Sequence, residues 1–246
     1  GRAMSAQLEV EGVGKRFGGL TALDNVSFQV PEGAIVGVMG GNGAGKTTLF
    51  SLIAGNARPS AGDIRFRGRS IVGLPPDRIC RLGVARTFQI VKPFPAMTVR
   101  ENLRTAAMFG HADLRSAAAA DAATAPVLEE VGLAAVADQP ASMLTLSGQK
   151  RLEIGRAVAT GGRLVMLDEV MAGLTPTEGA QMLETVRGLH ARRGLTLLVI
   201  EHVMRALMEL CGRIVVLHHG QLIAEGTPEE IGRDARVLTV YLGGRP

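Results

Sequence analysis

Short apolar-rich runs bounded by Gly, Pro or Asp recur along the first third of the chain, and Leu8–Val13, Val26–Val30 and Ile64–Gly68 are predicted as strands. Ala34–Met39 is a more continuous apolar run that feeds a glycine-rich stretch, and a helix is predicted to begin near Lys46. From about Thr98 to Gly161 the pattern changes to Ala- and Leu-rich segments, predicted as helical. Thr98-x-x-Glu101 is a capping box that would open that region, and Ala117–Ala120 belongs to a helix there. Strand patterns return at Leu164–Asp168 and Thr196–Glu201. Between them, Thr175-Pro176-Thr177-Glu178 combines an N-cap, a first-turn Pro and a capping Glu, so a helix is predicted to about Arg193, completing a βαβ crossover between parallel strands. Ile214–His218 and Gln221–Ala224 form a predicted hairpin turning at His219-Gly220, and Thr227-Pro228-Glu229-Glu230 opens a short terminal helix. The pattern is that of an α/β core divided by a helical insertion.

Size and composition set bounds on this picture. A chain of 246 residues buries a sizeable core without disulfides or metals. No apolar run approaches the ~18 residues of a membrane span, so the chain is not expected to cross a membrane. Lys+Arg total 27 against 23 for Asp+Glu, a net +4 that is thinly spread, and aromatics are only 3%. A nucleic-acid tail or base-stacking surface is therefore not expected. Cys80 and Cys211 are far apart and lack metal-ligand spacing, which points to reduced thiols in a cytosolic compartment. No signal-peptide pattern opens the chain, and Gly1-Arg2-Ala3 ahead of Met4 reads as a cloning remnant.

The chemistry is concentrated at two strand ends. Gly40-Gly41-Asn42-Gly43-Ala44-Gly45-Lys46-Thr47 fits G-x-x-x-x-G-K-[ST] between a predicted strand and helix, the context that gives this pattern its weight. Its backbone N–H groups would face phosphate oxygens, helped by the positive end of the following helix, with Thr48 next in line. Lys46 would bridge the β- and γ-phosphates and the Thr47 hydroxyl would bind Mg²⁺. Leu164–Leu167 is an apolar strand ending in Asp168-Glu169. Asp168 would belong to the Mg²⁺ shell, and Glu169 would polarise the attacking water or accept its proton. Together the two motifs describe a P-loop nucleotidase.

With these motifs in place, the sequence resembles the ABC ATPase family over nearly its whole length. The resemblance implies a P-loop NTPase core (mostly parallel sheet with flanking helices) plus an N-terminal antiparallel β subdomain and an inserted α-helical subdomain. Residues 4–246 would be a single ABC ATPase domain: β subdomain and P-loop core over 4–90, helical subdomain with the signature motif over 91–160, remaining core and C-terminal helix over 161–246. Phe17 lies where the family has an aromatic that stacks on adenine. Gln89, in Thr87-Phe88-Gln89, matches the glutamine that ends a core strand and reaches toward Mg²⁺ and water, and His202, after the strand Thr196–Glu201, matches the histidine that contacts the γ-phosphate.

The signature motif, usually Leu-Ser-Gly-Gly-Gln, is where the chain departs from the family. Aligning on the helix after Arg151 places Leu144–Gly148 under it, with Thr145 in the serine position. Matching letters instead selects Leu146-Ser147-Gly148-Gln149. Ser147 and Gly148 are the contacts favoured here, expected just before a helix and facing a partner subunit's phosphate. The resemblance implies two such subunits packed head to tail with ATP between them. Thr175 stands where the family commonly has an aspartate crossing that interface.

Ala85–Phe94, Asp168–Leu174 and Tyr241-Leu242-Gly243-Gly244 further resemble the ATPases of branched-chain amino-acid uptake. This implies an ATP- and Mg²⁺-dependent subunit, peripheral on the cytoplasmic face of the inner (plasma) membrane. Its partners would be transmembrane permease subunits and a second ATPase subunit, the same or a related chain, with no direct contact to the solute. The loop Ile90–Met97, with Phe94 between two prolines, would help form a groove for a permease coupling helix; the alternative makes Phe94 a core residue. The other readings left open are a non-transport ABC ATPase and a weakly hydrolysing regulatory nucleotide-binding module.

Overall fold

The computed structural model describes residues 5–87, 94–202 and 204–242. Along them run β1 (Ala6–Phe17), β2 (Leu20–Pro31), β3 (Ile35–Gly40), α1 (Lys46–Ile53), β4 (Ala61–Phe66), β5 (Arg69–Ser70), α2 (Pro76–Leu82), β6 (Val84–Arg86) and α3 (Val99–Phe109). They are followed by α4 (Ala117–Glu130), α5 (Leu146–Ala159), β7 (Leu164–Asp168), α6 (Pro176–Arg193), β8 (Thr196–Ile200), α7 (Met204–Leu210), β9 (Arg213–His218), β10 (Gln221–Gly226), α8 (Pro228–Ile231) and α9 (Ala235–Leu242). The chain divides into two compact units, residues 1–75 with 196–246 and residues 76–195.

The first unit carries an antiparallel sheet in the order β2-β1-β4-β5. Strands β1 and β2 run well beyond the predicted limits of Val13 and Val26 because their pairing shifts register between Val10 and Val13 and again near Lys15. Each bulge breaks the period-two pattern by which a strand is legible, without ending the ladder. In the same unit β3 lies between β8 and β9, parallel to both, and β10 returns antiparallel on β9. The middles of the inner strands are continuous apolar runs, the pattern of strands covered on both faces: Val36, Val38, Leu198, Val199, Val215 and Val216 are buried. The β9–β10 turn is His219-Gly220, with φ of 45° and 78°, the left-handed pair of a tight two-residue hairpin turn.

The second unit is largely helical. Helix α3 begins at the predicted capping box, where the Thr98 hydroxyl accepts from the Glu101 N–H and the Glu101 carboxylate accepts from the Thr98 N–H. Helix α4 is capped by Ser116, and α6 by the box of Thr175 and Glu178. Each such cap contributes about 1 kcal/mol. Leu103, Ala107, Leu128, Val131, Leu152 and Ile154 are buried. β6 and β7 pair in parallel, Val84 opposite Leu164 and Arg86 opposite Met166. Helices α2 and α7 and strand β5 had no counterpart in the sequence pattern; at seven residues or fewer, none spans enough turns or alternations to show a period. Among the described residues no helix is long and apolar enough to cross a membrane.

Candidate functional site: a phosphate loop and an acidic strand end

In the first unit, strand β3 ends at Gly40 and the loop 41–45 delivers the chain to α1. Gly45 caps that helix at φ 107°, and a Cβ there would lie 2.6 Å from Leu23 Cδ2 and 2.9 Å from the Ala22 carbonyl. Only glycine fits both the backbone angle and the space. Gly41, Asn42, Gly43 and Thr47 are exposed, Gly45 and Thr48 half-buried, Gly40 and Ala44 buried. Lys46 is 5% exposed, and its ammonium turns back over the loop to donate to the carbonyls of Gly40 and, at 3.0 Å, Gly41. A buried cation under an exposed glycine-rich loop, with the N-terminal end of α1 adding roughly half a positive charge, has the electrostatics that suit an anion such as phosphate.

The loop is tied from outside by the β9–β10 turn. The Gly220 N–H donates to the Ala44 carbonyl at 3.0 Å, and the Gly220 carbonyl accepts from the Asp24 N–H at 2.8 Å. Phe17, at the end of β1, is 51% exposed, with the Lys15 ammonium 4.8 Å from its ring centroid. The ring is thus exposed, with a cation on one face by the attraction between an ammonium and an aromatic π-system. His202 lies just past the end of β8, exposed to solvent.

In the second unit, β7 emerges from the core at Asp168, whose side chain is 11% exposed. Arg86, at the end of β6 and 5% exposed, places Nη2 2.5 Å from Asp168 Oδ2. The Asp168 N–H donates to the Thr87 hydroxyl at 3.1 Å, so two consecutive residues fix the acid. Glu169 follows at φ 52°, a left-handed conformation that costs a non-glycine residue about 1 kcal/mol, and it is half-buried. On α5, burial holds the Glu153 carboxyl above the usual carboxylate range; Lys150 and Arg156 oppose this and Asp168 reinforces it. Burial likewise draws Arg156 down to about 10.

Helix α5 starts at Leu146 with Thr145 as its N-cap: the Thr145 hydroxyl accepts from the Gly148 N–H at 3.2 Å. Ser147 and Gly148, expected just before the helix, therefore lie inside its first turn. Ser147 is half-buried and Gly148 buried, and Thr145 occupies the exposed capping position. Thr175, at the start of α6, has its hydroxyl engaged locally with Glu178. Gln89 lies outside the described residues, as do Ile90–Pro93 of the expected groove. Phe94 is 37% exposed while its backbone N–H and carbonyl are both held by the buried Asn102 amide, so the ring is not a core residue.

Each unit offers by itself an oxygen donor of the kind a small hard cation takes, the Thr47 hydroxyl in the first and the Asp168 carboxylate in the second. Among the described residues no three His, Cys, Asp or Glu side chains gather into an all-protein cage. Mg²⁺ commonly takes one or two protein oxygens, its shell completed by waters and nucleotide phosphates. Arg86, Thr87 and Gly220 were not legible as contributors, because their partners are distant in the chain, 82 residues away for Arg86 and 81 for Thr87, and no local spacing reveals such pairing.

Comparison with known proteins agrees with this chemistry. The family of ABC transporters matches residues 23–172. A second family, branched-chain amino acid ATP-binding cassette transporters, matches residues 221–245. The chain is 40% identical to the high-affinity branched-chain amino acid transport ATP-binding protein LivG of Salmonella typhimurium, over 96% of this chain and 97% of that one. It is 41% identical to the corresponding protein BraF of Pseudomonas aeruginosa, over the same shares. Among solved structures, an ATP-binding cassette of an ABC transporter in its ADP conformation superposes with a TM-score of 0.88 at 30% identity, covering 98% of this chain and 100% of that one. A nucleotide-free ATP-binding cassette gives 0.87, also at 30% identity. With an exposed phosphate loop, an acidic strand end and relatives matched from end to end, the chain belongs to the ABC transporter family as one of its ATP-binding proteins, which are ATPases.

Proposed function

We propose that this chain is the ATP-hydrolysing subunit of an importer for branched-chain or related amino acids. It works as one of a pair of ATPase subunits docked on transmembrane permease subunits at the cytoplasmic face of the plasma membrane. The observation that carries this reading is the joint match of the whole chain to branched-chain transport ATP-binding proteins and of residues 221–245 to the family named for that transport.

The role assigned to each residue is the one that the motifs and the family resemblance imply for it. Phe17 stacks on the adenine. The backbone of Gly40, Gly41, Asn42, Gly43, Ala44 and Gly45, with Thr48 beyond it, cradles the phosphates. Lys46 exchanges its loop carbonyls for the β- and γ-phosphate oxygens. Thr47 and Asp168, with Gln89, would hold Mg²⁺, which would supply charge neutralisation for the phosphate oxygens. Glu169 orients the attacking water and takes its proton; His202 contacts the γ-phosphate. The first turn of α5, with Thr145, Ser147 and Gly148, faces the nucleotide of the second subunit. Catalysis is thus positioning and charge stabilisation.

The test is reconstitution of the chain with its permease subunits and second ATPase subunit in vesicles. Leucine, isoleucine and valine should accumulate only with ATP, and the Glu169→Gln protein should assemble but not transport. Uptake of an unrelated solute, with none of these three, would overturn the substrate assignment. Substituting Phe94 by Ala should leave the melting temperature nearly unchanged and weaken assembly with the permease.

A further inference from the structure

Arg86 is a cation already seated on the acid assigned to the metal. Strand β6 contributes only Val84–Arg86, and its register on β7 sets Arg86 opposite Met166. The Thr87 N–H donates to the Met166 carbonyl at 3.0 Å, which closes the strand and leaves Arg86 beside the end of β7. Its guanidinium meets Asp168 Oδ2 at 2.5 Å, with the two side chains 5% and 11% exposed. A carboxylate so enclosed requires a positive partner, and a guanidinium cannot lose its charge to solvent. The contact uses one oxygen; among the described residues Oδ1 accepts no hydrogen bond.

Resting on the reading of Asp168 as a metal-shell acid, we propose that Arg86 is its resident counter-ion, neutralising the carboxylate while no divalent cation is bound and weakening Mg²⁺ binding by its own charge. A cation arriving at Oδ1 meets a guanidinium on the same carboxyl group. Protein oxygens alone then hold it poorly, and it is retained only when nucleotide phosphates add their negative charge. The arrangement keeps the free protein stable and makes Mg²⁺ and nucleotide arrive together.

The experiment compares wild type, Arg86→Gln, Arg86→Lys and Asp168→Asn by two readouts that need no turnover. The first is the melting temperature in EDTA and in millimolar Mg²⁺ without nucleotide. The second is the Mg²⁺ concentration for half-maximal ADP binding, by calorimetry. Arg86→Gln should melt about 10 °C lower in EDTA, the shift for breaking a buried pair in a chain of this size, and should regain part of that loss in Mg²⁺ alone, where wild type does not respond. Its Mg²⁺ requirement should fall on the order of tenfold, as expected when a charge a few ångströms away is removed. Arg86→Lys keeps the charge on a looser stem, should show the same shift at smaller size, and serves if Arg86→Gln does not fold. An unchanged or raised Mg²⁺ requirement in the folded variant overturns the proposal. If Asp168→Asn binds ADP with wild-type Mg²⁺ dependence, the reading of Asp168 fails instead. If Asp168→Asn raises the requirement while Arg86→Gln leaves it alone, only the role of Arg86 falls.

Discussion

Two glycines with nearly equal backbone angles offer a controlled perturbation of the phosphate loop. Gly33, in the β2–β3 turn, has φ 76° and nothing within 4 Å of a built Cβ. Gly220, in the β9–β10 turn, has φ 78°, and its Cβ would lie 2.6 Å from the Ala22 carbonyl oxygen, 3.0 Å from the Ala22 carbonyl carbon and 3.2 Å from Leu23 Cα. These neighbours are backbone atoms of β2 and cannot rotate away. Alanine at either site carries the left-handed penalty of about 1 kcal/mol. At Gly220 it also carries an overpacking cost of about 2 kcal/mol, for a sum near 3 kcal/mol. For a chain of this length each kcal/mol lowers the melting temperature by roughly 2–4 °C, so Gly33→Ala should lose roughly 2–4 °C and Gly220→Ala roughly 6–12 °C.

The second consequence is specific to the loop. Relieving the clash moves the turn away from β2 and stretches the bond from the Gly220 N–H to the Ala44 carbonyl. ATP affinity should then fall in Gly220→Ala and remain at the wild-type value in Gly33→Ala. Differential scanning fluorimetry supplies the first comparison, and binding of a fluorescent ATP analogue the second. Equal melting shifts in the two variants would refute the close-approach argument, and unchanged affinity in Gly220→Ala would refute the strut.

Three further outcomes follow from the same structure. Thr145→Ala removes the α5 cap and should cost about 1 kcal/mol, whereas Ser147→Ala should stay within about 0.5 kcal/mol of wild type in thermal melts; the same pair shows which hydroxyl supports ATP-dependent pairing. Burial pushes the Cys211 thiol up to about 12, so an alkylating reagent at pH 8 should leave it unmodified in the native protein and modify it in denaturant, as read by mass spectrometry. The sign of the linked stability is fixed: the raised folded value means this contribution is complete below the ordinary thiol range and is lost as pH climbs from about 9 toward 12. Replacing Cys211 by Ala should flatten that alkaline decline in melting temperature.

Much of the architecture was legible because several strong local signals agreed. Three capping boxes, at Thr98, Thr175 and Thr227, open helices where the sequence places them, and the His219-Gly220 turn closes the hairpin read from its flanking strands. The phosphate loop and the Asp168-Glu169 strand end were legible because their chemistry is written in consecutive residues. Helix α2 was hidden because Pro75-Pro76-Asp77 carries turn chemistry and only seven residues follow the helical pattern. Strand β6, three residues long, shows no local period, and a core strand ahead of Gln89 was expected from the resemblance alone. The start of α5 was ambiguous because Thr145 and Ser147 are both good caps; the structure resolves it by the Gly148 N–H, three residues past Thr145. The grip of Arg86 on Asp168 joins strands 82 residues apart, and pairing of that kind leaves no local trace.

The central claim, an ATPase that works by ATP-driven pairing, is tested most directly by sedimentation of the Glu169→Gln protein with and without Mg²⁺-ATP. Removing the group that activates water should leave binding intact and stop hydrolysis, so the protein should sediment as a monomer without nucleotide and as a dimer with it. A monomer in the presence of demonstrably bound ATP would contradict pairing of identical chains.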